Sequence, residues 1–465
     1  MRSLVWFRGK DLRATDHAPL VEAAASGEVV PLFVLDPFFF APERARKLPH
    51  RMQFLLESLR HLEAEVARLG SRLLIVSGRS VEVVPRLALQ WRVDRVLAYR
   101  WSEPFGRERD RRVAEALGRE GIPFRLFEGE TLLPPGSVQT GQGGMFRVFT
   151  PFARACAAQL GPQAPLAVPA ALPPLPAGVA TPEVPLPSLE ALGLVPNPRI
   201  QPGGEQPARI RLAAFLEDRL DRYHMDRDRM DRPGTSRLSA DLKFGTLSIR
   251  QVWRAVSEHG GPGVPSFLNE LVWREFSHHL LWTWPELLER PFRPAFVGFP
   301  WREDPNAWEA WCAGRTGYPV VDAAARQLWG EGFVHNRARM VAASFLAKHL
   351  MVDWRLGEAH YLAWLTDGDW AQNSAGWQWS AGCGCDAQPW FRMFNPVAQG
   401  LTFDPDGAYV KRWVPELEGC PVAFIHTPWK APKPVRVRLD YPDPIVDHAF
   451  ARERFLATAK VHLGR

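Results

Sequence analysis

The sequence has few cysteines and no long apolar stretch. Its 465 residues include five Cys, an odd and sparse set that argues against a disulfide framework and for a reducing compartment. No apolar run approaches the roughly 20 residues that a membrane-spanning helix requires. The first residues lead directly into a strand pattern, without the apolar stretch and cleavage site of a signal peptide. We therefore expect a cytoplasmic protein without membrane association.

Two common nucleotide-binding motifs are also missing. Neither a G-x-G-x-x-G pattern nor a P-loop follows any strand-like segment, so the sequence gives no support to a Rossmann dinucleotide site or an NTPase. Cys383 and Cys385 stand close together, but there is no second Cys or His pair nearby to complete a metal site. We expect no bound metal.

Tryptophan, in contrast, is abundant. The chain contains 19 Trp, most of them in its second half. Ordinary core packing accounts for many of them, but not for this clustering, because a buried indole needs a partner for its N–H group. The net charge of +6 and the pI near 9.2 permit a nucleic-acid partner without requiring one.

The chain is longer than the roughly 250–300 residues at which a single core stops growing, which predicts two domains. Before residue 133, short apolar runs alternate with helical stretches, the pattern of an open, doubly wound parallel sheet of the α/β class. The expected strands are Leu4–Phe7, Val29–Leu35, Leu73–Val76, Val96–Tyr99 and Phe124–Phe127, and helices are expected over Arg51–Leu69 and Arg107–Glu120.

The rest of the chain changes character twice. Residues 161–207 are rich in Pro, Ala and Leu, and repeated prolines predict an irregular connector on the surface. From Arg209 onward the pattern is that of long helices. We therefore predict an antenna-type α/β domain at 1–132, an interdomain linker at 133–207 and an all-α domain at 208–465.

Two segments of the helical region suggest ligand chemistry. Gly234–Ser239 precedes a helical run, and its backbone N–H and hydroxyl groups suit a phosphate, although an ordinary helix cap explains the same residues. Glu270, Trp273 and Arg274 are spaced i, i+3, i+4 and therefore share one helix face. That face is too polar for a plain core, and a solvated face would rarely include a Trp.

Two further segments lie nearer the C-terminus. Asn336, Arg339 and Met340 fall on one face of a predicted helix, while Arg337 points elsewhere. The sequence Asp367-Gly368-Asp369 could hold a metal, or it could pair with Arg339 and bind ligand hydroxyls. We favour the second interpretation because no further oxygen ligands follow at loop spacing.

The order of these segments resembles that of the photolyase/cryptochrome family, and most closely its class I cyclobutane pyrimidine dimer photolyases. The resemblance runs from Leu4 to Tyr441-Pro442 and is weakest across the linker. It is carried by seven motifs in order, which are G-T-S-R-L-S, E-L-x-W-R-E-F, T-G-Y-P-V-V-D-A-A at Thr316–Ala324, H-N-R-x-R-M, D-G-D, G-W-Q-W and F-N-P at Phe394–Pro396.

The resemblance implies that the helical domain binds FAD. The residues implied for the phosphates are Tyr223, Arg227, Thr235, Ser236, Arg237, Leu238 and Ser239. Trp273, Arg274 and Glu270 are implied to border the adenine and the active site. Around the flavin ring and the adenosine, the implied residues are Asn336, Arg339, Asp367, Gly368, Asp369 and Asn373, with Asn373 facing flavin N5. A negatively charged reduced flavin suits Arg neighbours and an amide that both donates and accepts.

The same resemblance implies an electron relay and a DNA surface. The relay consists of Trp377 near the flavin, then Trp354, then Trp301 at the surface. The substrate pocket is implied to contain Glu270, Trp273, Met340 and Trp379, with Arg337 and Arg392 toward the DNA backbone. Trp377 and Trp379 stand two apart, so their rings diverge and can serve different partners.

An antenna position is also implied in the α/β domain. Members that use a folate carry an Asn-Glu pair after the fourth strand, whereas this chain has Pro104-Phe105-Gly106-Arg107-Glu108-Arg109-Asp110. That segment is similar to members with a deazaflavin or FMN antenna, which points to Phe105, Gly106, Arg107 and Asp110. An exposed charged helix beside an empty cleft is the alternative.

The function implied is light-driven repair of cyclobutane pyrimidine dimers in damaged DNA, by a carbon–carbon lyase that we expect to be monomeric. The first alternative is a photosensory cryptochrome without repair activity. Such proteins usually add a C-terminal tail and place Asp or Cys opposite N5, where this chain has Asn373. The second is a (6-4) photoproduct photolyase, a subfamily that needs a His where this chain has Met340.

Overall fold

A computed structural model of the chain describes residues 1–180 and 184–464. The chain divides into two compact units, of which the first comprises Met1–Asp221 and Ser236–Pro285 and the second comprises Arg222–Thr235 and Glu286–Arg465. The first unit is therefore built from two separate stretches of chain. The predicted domain ranges follow composition, whereas these units follow contacts, and the boundaries differ.

The first unit contains a five-stranded parallel sheet with the order β3-β2-β1-β4-β5. The strands are β1 (Arg2–Phe7), β2 (Glu28–Leu35), β3 (Leu74–Ser77), β4 (Arg95–Tyr99) and β5 (Phe124–Phe127). All but the last are largely buried, as expected for strands covered by helices on both faces. The predicted α/β sheet is confirmed, with each strand within a few residues of its expected place.

Helices complete the first unit. Those within the sheet region are α1 (Ala18–Ser26), α2 (Pro37–Phe40), α3 (Pro42–Ala45), α4 (Pro49–Arg68), α5 (Ser80–Gln90) and α6 (Pro104–Arg119). Those that follow are α7 (Phe149–Gln159), α8 (Glu205–Asp218), α10 (Ser239–Phe244), α11 (Ile249–His259) and α12 (Val264–Thr283), while α9 (Tyr223–Asp226) belongs to the second unit. Within the described residues, no strand follows β5.

The Pro-rich connector is irregular, as predicted, but it is held against the sheet region. The Leu172 amide donates to the carbonyl of Leu69 at 2.7 Å, and the Val184 amide donates to that of Ile75 at 3.2 Å. Leu172 itself is buried with the core beneath it. Residues 181–183, within the same stretch, lie outside the described residues. The connector thus packs against the sheet region in addition to joining the two regions of the chain.

The second unit is helical. Its helices after α9 are α13 (Pro305–Cys312), α14 (Pro319–Glu331), α15 (Asn336–Ser344), α16 (Trp354–Trp364), α17 (Trp370–Ala381), α18 (Pro396–Phe403), α19 (Ala408–Trp413), α20 (Lys433–Arg436) and α21 (His448–Leu463). A π-helical segment, Phe345–Leu350, continues α15. None of the helices in residues 1–180 and 184–464 combines the length and hydropathy needed to cross a bilayer.

Candidate functional site

The helix α12 carries the first group of predicted residues. Glu270, Trp273 and Arg274 share one face of it, as their spacing predicts. Arg274 is buried, and its Nη1 donates to the backbone carbonyl of Glu130 at 2.6 Å. The guanidinium therefore fastens the segment after β5 to α12, a structural role that sequence reasoning did not foresee. The proposed contact of Arg274 with a cofactor is an additional role.

Glu275 reinforces the same attachment. Its carboxylate is fully buried and accepts a hydrogen bond from the Leu132 amide at 2.9 Å. Burial raises the pKa of Glu275 to about 7, although the nearby Arg274 and the amides act in the opposite direction. One turn further, the Gly136 amide donates to Nδ1 of His279 at 3.1 Å. Residues 130–136 are thus held along α12 by three side chains.

Trp273 rests on a residue from the predicted linker. The rings of Trp273 and Phe149 are stacked, with centroids 3.6 Å apart and planes at 5°. Phe149 begins α7 and also contacts Phe276, whose ring centroid lies 5.9 Å away. Sequence reasoning missed Phe149 because it precedes a Pro-containing segment with no evident ligand motif. The contact fixes the plane of the Trp273 ring.

The segment implied for phosphate binding directly precedes α10, as predicted. Arg237 has a φ of 59°, the left-handed region, and the hydroxyl of Ser236 accepts a hydrogen bond from the Leu238 amide at 3.3 Å. Ser239 is the first residue of α10. The segment is divided between the units, since Ser236–Ser239 belongs to the first and Thr235 to the second.

In the second unit, Tyr223 and Arg227 lie at the two ends of α9. Tyr223 is buried, and the Arg227 guanidinium lies 5.7 Å from the centre of its ring. His335, which caps α15, lies near this segment. Burial lowers the pKa of His335 to about 4, so the imidazole is neutral at physiological pH.

Arg339 and Asp367 form the ion pair that the sequence predicts. Nη2 of Arg339 lies 2.8 Å from one oxygen of Asp367, and Nε donates to the Val334 carbonyl at 2.8 Å. About a quarter of the Arg339 side chain is exposed, at 27%. Asn336 is exposed on the same helix face, and its amide contacts the sulfur of Met340 at 3.6 Å. The ion pair thus leaves part of the Arg339 side chain accessible.

Arg337 is more enclosed than a DNA-binding role alone would suggest. Its side chain is 16% exposed and pairs with Asp228 at 3.0 Å. Its guanidinium also lies 4.3 Å from the centre of the Phe403 ring. Arg392 is exposed, and its backbone carbonyl accepts a hydrogen bond from the buried Lys348 at 2.7 Å. Of the two arginines, Arg392 is the better placed to reach a phosphate.

The residues implied to contact the flavin and the adenosine lie at the start of helix α17. Asp369 caps its start, accepting a hydrogen bond from the Gln372 amide at 3.0 Å. The Asn373 amide donates to the backbone carbonyl of Glu358 at 3.0 Å, which orients the side chain. Burial raises the pKa of the Glu358 carboxyl to about 8. Gly368 lies immediately before the cap, in the turn between Leu365 and α17.

Trp377 and Trp379 point to different surroundings, as predicted. Trp377 is buried one turn after Asn373, whereas Trp379 is half-buried. The absence of a side chain at Gly357 makes room for Trp377, since a Cβ there would lie 2.2 Å from its ring. Trp354 is buried in the same core cluster, and Trp301 packs against it. All three tryptophans of the predicted relay therefore belong to one core.

Polar atoms without partners lie beside these residues. Among the described residues, the hydroxyls of Tyr361 and Thr366 are buried and have no hydrogen-bond partner. Thr366 adjoins Asp367, and Tyr361 lies near Arg339. Buried groups of this kind usually meet a ligand or water. With the partly exposed Arg339, this donor set fits a polar, anionic cofactor such as FAD.

The predicted antenna residues occupy the start of α6. Phe105 stacks on Phe38, with ring centroids 3.9 Å apart, and is partly exposed. A Cβ at Gly106 would lie 2.6 Å from Trp101, so a larger residue would not fit. Arg107 donates to the Trp282 carbonyl at 3.0 Å, and Asp110 accepts from Arg8 at 2.6 Å. Arg107 and Asp110 thus serve the packing of this unit, which leaves Phe105 as the exposed member.

Comparison with known proteins identifies two matching family models. The model described as DNA photolyase matches residues 3–174, and the model described as FAD binding domain of DNA photolyase matches residues 267–461. A deoxyribodipyrimidine photo-lyase from Agrobacterium fabrum is 40% identical, covering 98% of this chain and 96% of its own. A protein of that name from Thermus thermophilus is 42% identical, covering 98% of each.

Solved structures show the same likeness. A bacterial class III photolyase from Agrobacterium tumefaciens is 38% identical, with a TM-score of 0.91 over 100% of this chain and 98% of its own. A cryptochrome from Synechocystis is 30% identical, with a TM-score of 0.90 over 98% and 99%. An archaeal photolyase from Sulfolobus tokodaii, which contains two FAD molecules, is 30% identical, with a TM-score of 0.86 over 99% and 100%.

Proposed function

Because the chain belongs to the DNA photolyase family, we propose that it uses light and FAD to repair cyclobutane pyrimidine dimers in DNA. The observation that carries this proposal is the full-length identity of about 40% to proteins named deoxyribodipyrimidine photo-lyase. The positions of Arg339, Asp367 and Asn373 agree with it, since all three lie within residues 267–461, which match the FAD-binding model.

In this proposal, FAD would supply, when bound, the reversible one-electron chemistry that opens the dimer. Arg339 holds negative charge at the flavin, and Asp367 keeps the guanidinium in place. The Asn373 amide would serve flavin N5, and its hydrogen bond to the Glu358 carbonyl fixes the orientation of the amide. Tyr223, Arg227 and residues 235–239 hold the phosphates, where helix α10 begins.

The substrate is a dimer swung out of the duplex. A lesion is easier to extrude than an intact base, because its stacking and pairing are already weak. Glu270 binds the base edges, while Trp273, Met340 and Trp379 replace the lost stacking, worth roughly 1–3 kcal/mol per base. Arg392 and Arg337 contact the backbone phosphates. The exposed side chain of Arg392 and the rigid ring of Trp273 support this assignment.

The test of the proposed function is light-dependent restoration of thymines. We expect FAD-loaded, reduced protein to convert a cyclobutane dimer in an oligonucleotide to two thymines under near-UV or blue light, and to leave it intact in the dark. Chromatography of the oligonucleotide measures this. Restoration in the dark would indicate another enzyme class. If no thymines are restored in light, with reduced FAD and DNA both bound, the proposal is contradicted.

A photoreceptor without repair activity is the alternative, and the 30% identity to a Synechocystis cryptochrome is the observation in its favour. Asn373 argues against it, because plant-type photoreceptors carry Asp and animal-type ones Cys at this position. Met340 likewise argues against a (6-4) photolyase. The same oligonucleotide assay, repeated with a (6-4) lesion, distinguishes these three functions.

We also propose that the protein is a cytoplasmic monomer. Its five cysteines are free thiols, which suits a reducing compartment.

The stacking of Phe149 on Trp273 leads to a prediction about substrate affinity. We expect Phe149→Leu to weaken binding of dimer-containing DNA by about 0.5–1.5 kcal/mol, the usual worth of such a ring pair. Binding of undamaged DNA should change little, because Trp273 is proposed to stack on the flipped lesion. FAD content is measured as well, because Trp273 is also implied to border the adenine. Titration with both DNAs measures the ratio of the affinity for dimer-containing DNA to that for undamaged DNA. Phe149→Tyr should keep this ratio at the wild-type value, because tyrosine also stacks on Trp273.

Phe152→Leu is the matched control, because Phe152 lies on α7 and packs on Phe276 without facing Trp273. It should lower the melting temperature and leave the ratio of the two affinities unchanged. Equal effects of Phe149→Leu and Phe152→Leu on that ratio would show that Phe149 acts only through stability.

We also propose that the first unit binds a deazaflavin or FMN antenna beside Phe105, with Gly106, Arg107 and Asp110 shaping its wall. The stacked, partly exposed rings of Phe38 and Phe105 support a planar aromatic ligand. A second FAD in the Sulfolobus tokodaii photolyase supports a flavin-type ligand in this family.

Reconstitution with a deazaflavin, FMN and a folate tests the antenna proposal. We expect one of the two flavin-type compounds to bind saturably and to transfer excitation energy to FAD, and the folate not to bind. Phe105→Ala should weaken binding, whereas Leu89→Ala, an exposed apolar residue at the far end of α5, should not. Saturable binding of the folate alone would overturn the assignment.

A further inference from the structure

The loop between α17 and α18 is held at both ends by side chains. Residues 382–395 form this loop and contain neither helix nor strand. Near its start, the guanidinium of Arg293 donates to the backbone carbonyls of Gly382 and Ala387, both at 3.3 Å. At its end, the side chain of Asn395 caps α18. The two ends of the loop are therefore fixed to helical parts of the second unit.

The middle of this loop has one attachment of the same kind. The amine of Lys348 donates to the backbone carbonyl of Arg392 at 2.7 Å. In the part of the chain that the structure describes, this is the only hydrogen bond that joins residues 389–394 to a residue outside the loop. The side chain of Arg392 is exposed, and no ion-pair partner for it occurs among those same described residues. Lys348 thus fixes the backbone of a residue whose charge is available to a ligand.

Lysine is a costly residue at position 348. Its side chain is fully buried in the π-helical segment Phe345–Leu350, with the amine 6.0 Å from the centre of the Phe455 ring. Burial lowers the pKa of Lys348 to about 7, because the surroundings disfavour the charged amine. Methionine has a similar length and would avoid that desolvation. π-Helical turns are rare and occur frequently at functional sites. Core packing therefore does not explain the lysine, whereas its bond to the loop does.

We infer that Lys348 is a positioning residue for DNA binding, which acts through Arg392 by holding the middle of the loop in place. This role rests on the proposed function, in which Arg392 contacts a backbone phosphate. A loop that becomes ordered only when DNA binds loses conformational entropy at that moment, and affinity falls accordingly. With Lys348 in place, the loop is ordered before DNA arrives. The cost is then met during folding and not during binding.

A double-mutant cycle in the FAD-loaded protein tests this role. We expect Lys348→Met to weaken binding of dimer-containing and undamaged duplex DNA alike, by several-fold. Affinity should also depend less steeply on salt, by up to about 0.9, the value for one phosphate contact. In Arg392→Ala protein, Lys348→Met should have no further effect, because the contact that Lys348 positions is already lost. A direct effect of the missing lysine charge would instead add to the effect of Arg392→Ala.

Limited proteolysis provides a measurement that does not depend on DNA. Trypsin cleaves after arginine where the backbone is exposed and loosely held. Cleavage after Arg392 should therefore be several-fold faster in Lys348→Met protein than in the wild type. The melting temperature should not fall, because the substitution removes a desolvated amine from the core. Lys348→Leu also lacks the amine and should repeat both results.

His349→Leu is the matched control. His349 is the next residue of the π-helical segment, and its buried ring bonds to His448 of α21 at 2.8 Å instead of to the loop. This variant should lower the melting temperature, while DNA affinity, its salt dependence and cleavage after Arg392 stay at the wild-type values.

Three results would overturn the positioning role of Lys348. These are wild-type DNA affinity in Lys348→Met protein, wild-type cleavage after Arg392 in that protein, and additive effects in the double variant. Wild-type affinity in Arg392→Ala protein is a different outcome, since it would refute the phosphate contact assigned to Arg392 in the proposed function.

Discussion

Trp377→Phe protein, loaded with oxidised FAD, is expected to lose photoreduction by an external reductant almost completely. Trp377 lies one turn after Asn373 on α17 and is the inner end of the predicted relay. A phenyl ring is much harder to oxidise than an indole, so the relay cannot deliver an electron. Absorption spectra under blue light measure the loss. Repair by chemically pre-reduced protein should survive, because the relay loads the flavin and takes no part in ring opening.

Trp379→Phe is the matched variant on the same helix. Trp379 is half-buried and is proposed to stack on the flipped dimer. Its replacement should leave photoreduction intact and weaken dimer binding by less than the roughly 1–3 kcal/mol that removal of a stacking ring costs, because the phenyl ring still stacks on a base. Trp377→Phe should therefore lose photoreduction and keep dimer binding, whereas Trp379→Phe should keep photoreduction and lose dimer affinity. If Trp377→Phe photoreduces at the wild-type rate while retaining FAD, Trp377 is not the first donor.

Glu270→Ala is expected to lower the repair yield far more than it lowers affinity for undamaged DNA. Glu270 lies on the α12 face with Trp273, whose ring is fixed by Phe149. Leaving buried polar groups of the dimer without a partner costs about 1–3 kcal/mol, or roughly 5- to 150-fold in affinity. The yield should fall further, since the carboxyl also stabilises the dimer after it gains an electron. Restored thymines per absorbed photon measure this.

The neighbouring Asn269 provides the control, because its side chain is exposed on α12 and has no proposed role in binding the dimer. Asn269→Ala should retain both the yield and the affinity. Arg392→Ala should differ from both, since lost phosphate contact weakens damaged and undamaged DNA alike. Its affinity should also depend less steeply on salt, by about 0.9 per contact. A Glu270→Ala protein with the wild-type yield would remove Glu270 from the mechanism.

The sheet could be predicted closely, because strands buried on both faces read as short apolar runs with clear ends. The face shared by Glu270, Trp273 and Arg274 and the Arg339–Asp367 pair also followed from spacing and charge. Such features depend on local pattern. They need no knowledge of how distant parts of the chain meet.

What escaped prediction depends on distant contacts. Helix α7 lies in a Pro-containing stretch, and Phe149 matters only because it meets Trp273 on α12. Arg274 was read as a ligand contact, yet its guanidinium also donates to a carbonyl 144 residues away. The hydrogen bond from Lys348 to the Arg392 carbonyl likewise joins residues 44 apart in the sequence.

The discontinuous first unit has a consequence for biosynthesis. Its last stretch, Ser236–Pro285, includes α12, onto which α7 and residues 130–136 pack. Domains tend to fold as they leave the ribosome, N-terminal part first. Here the first unit is complete only when residue 285 has emerged, by which time Arg222–Thr235, which belongs to the other unit, has been synthesised as well. A nascent chain halted at the end of the predicted linker would therefore expose the surfaces of α7 that α12 covers in the finished protein.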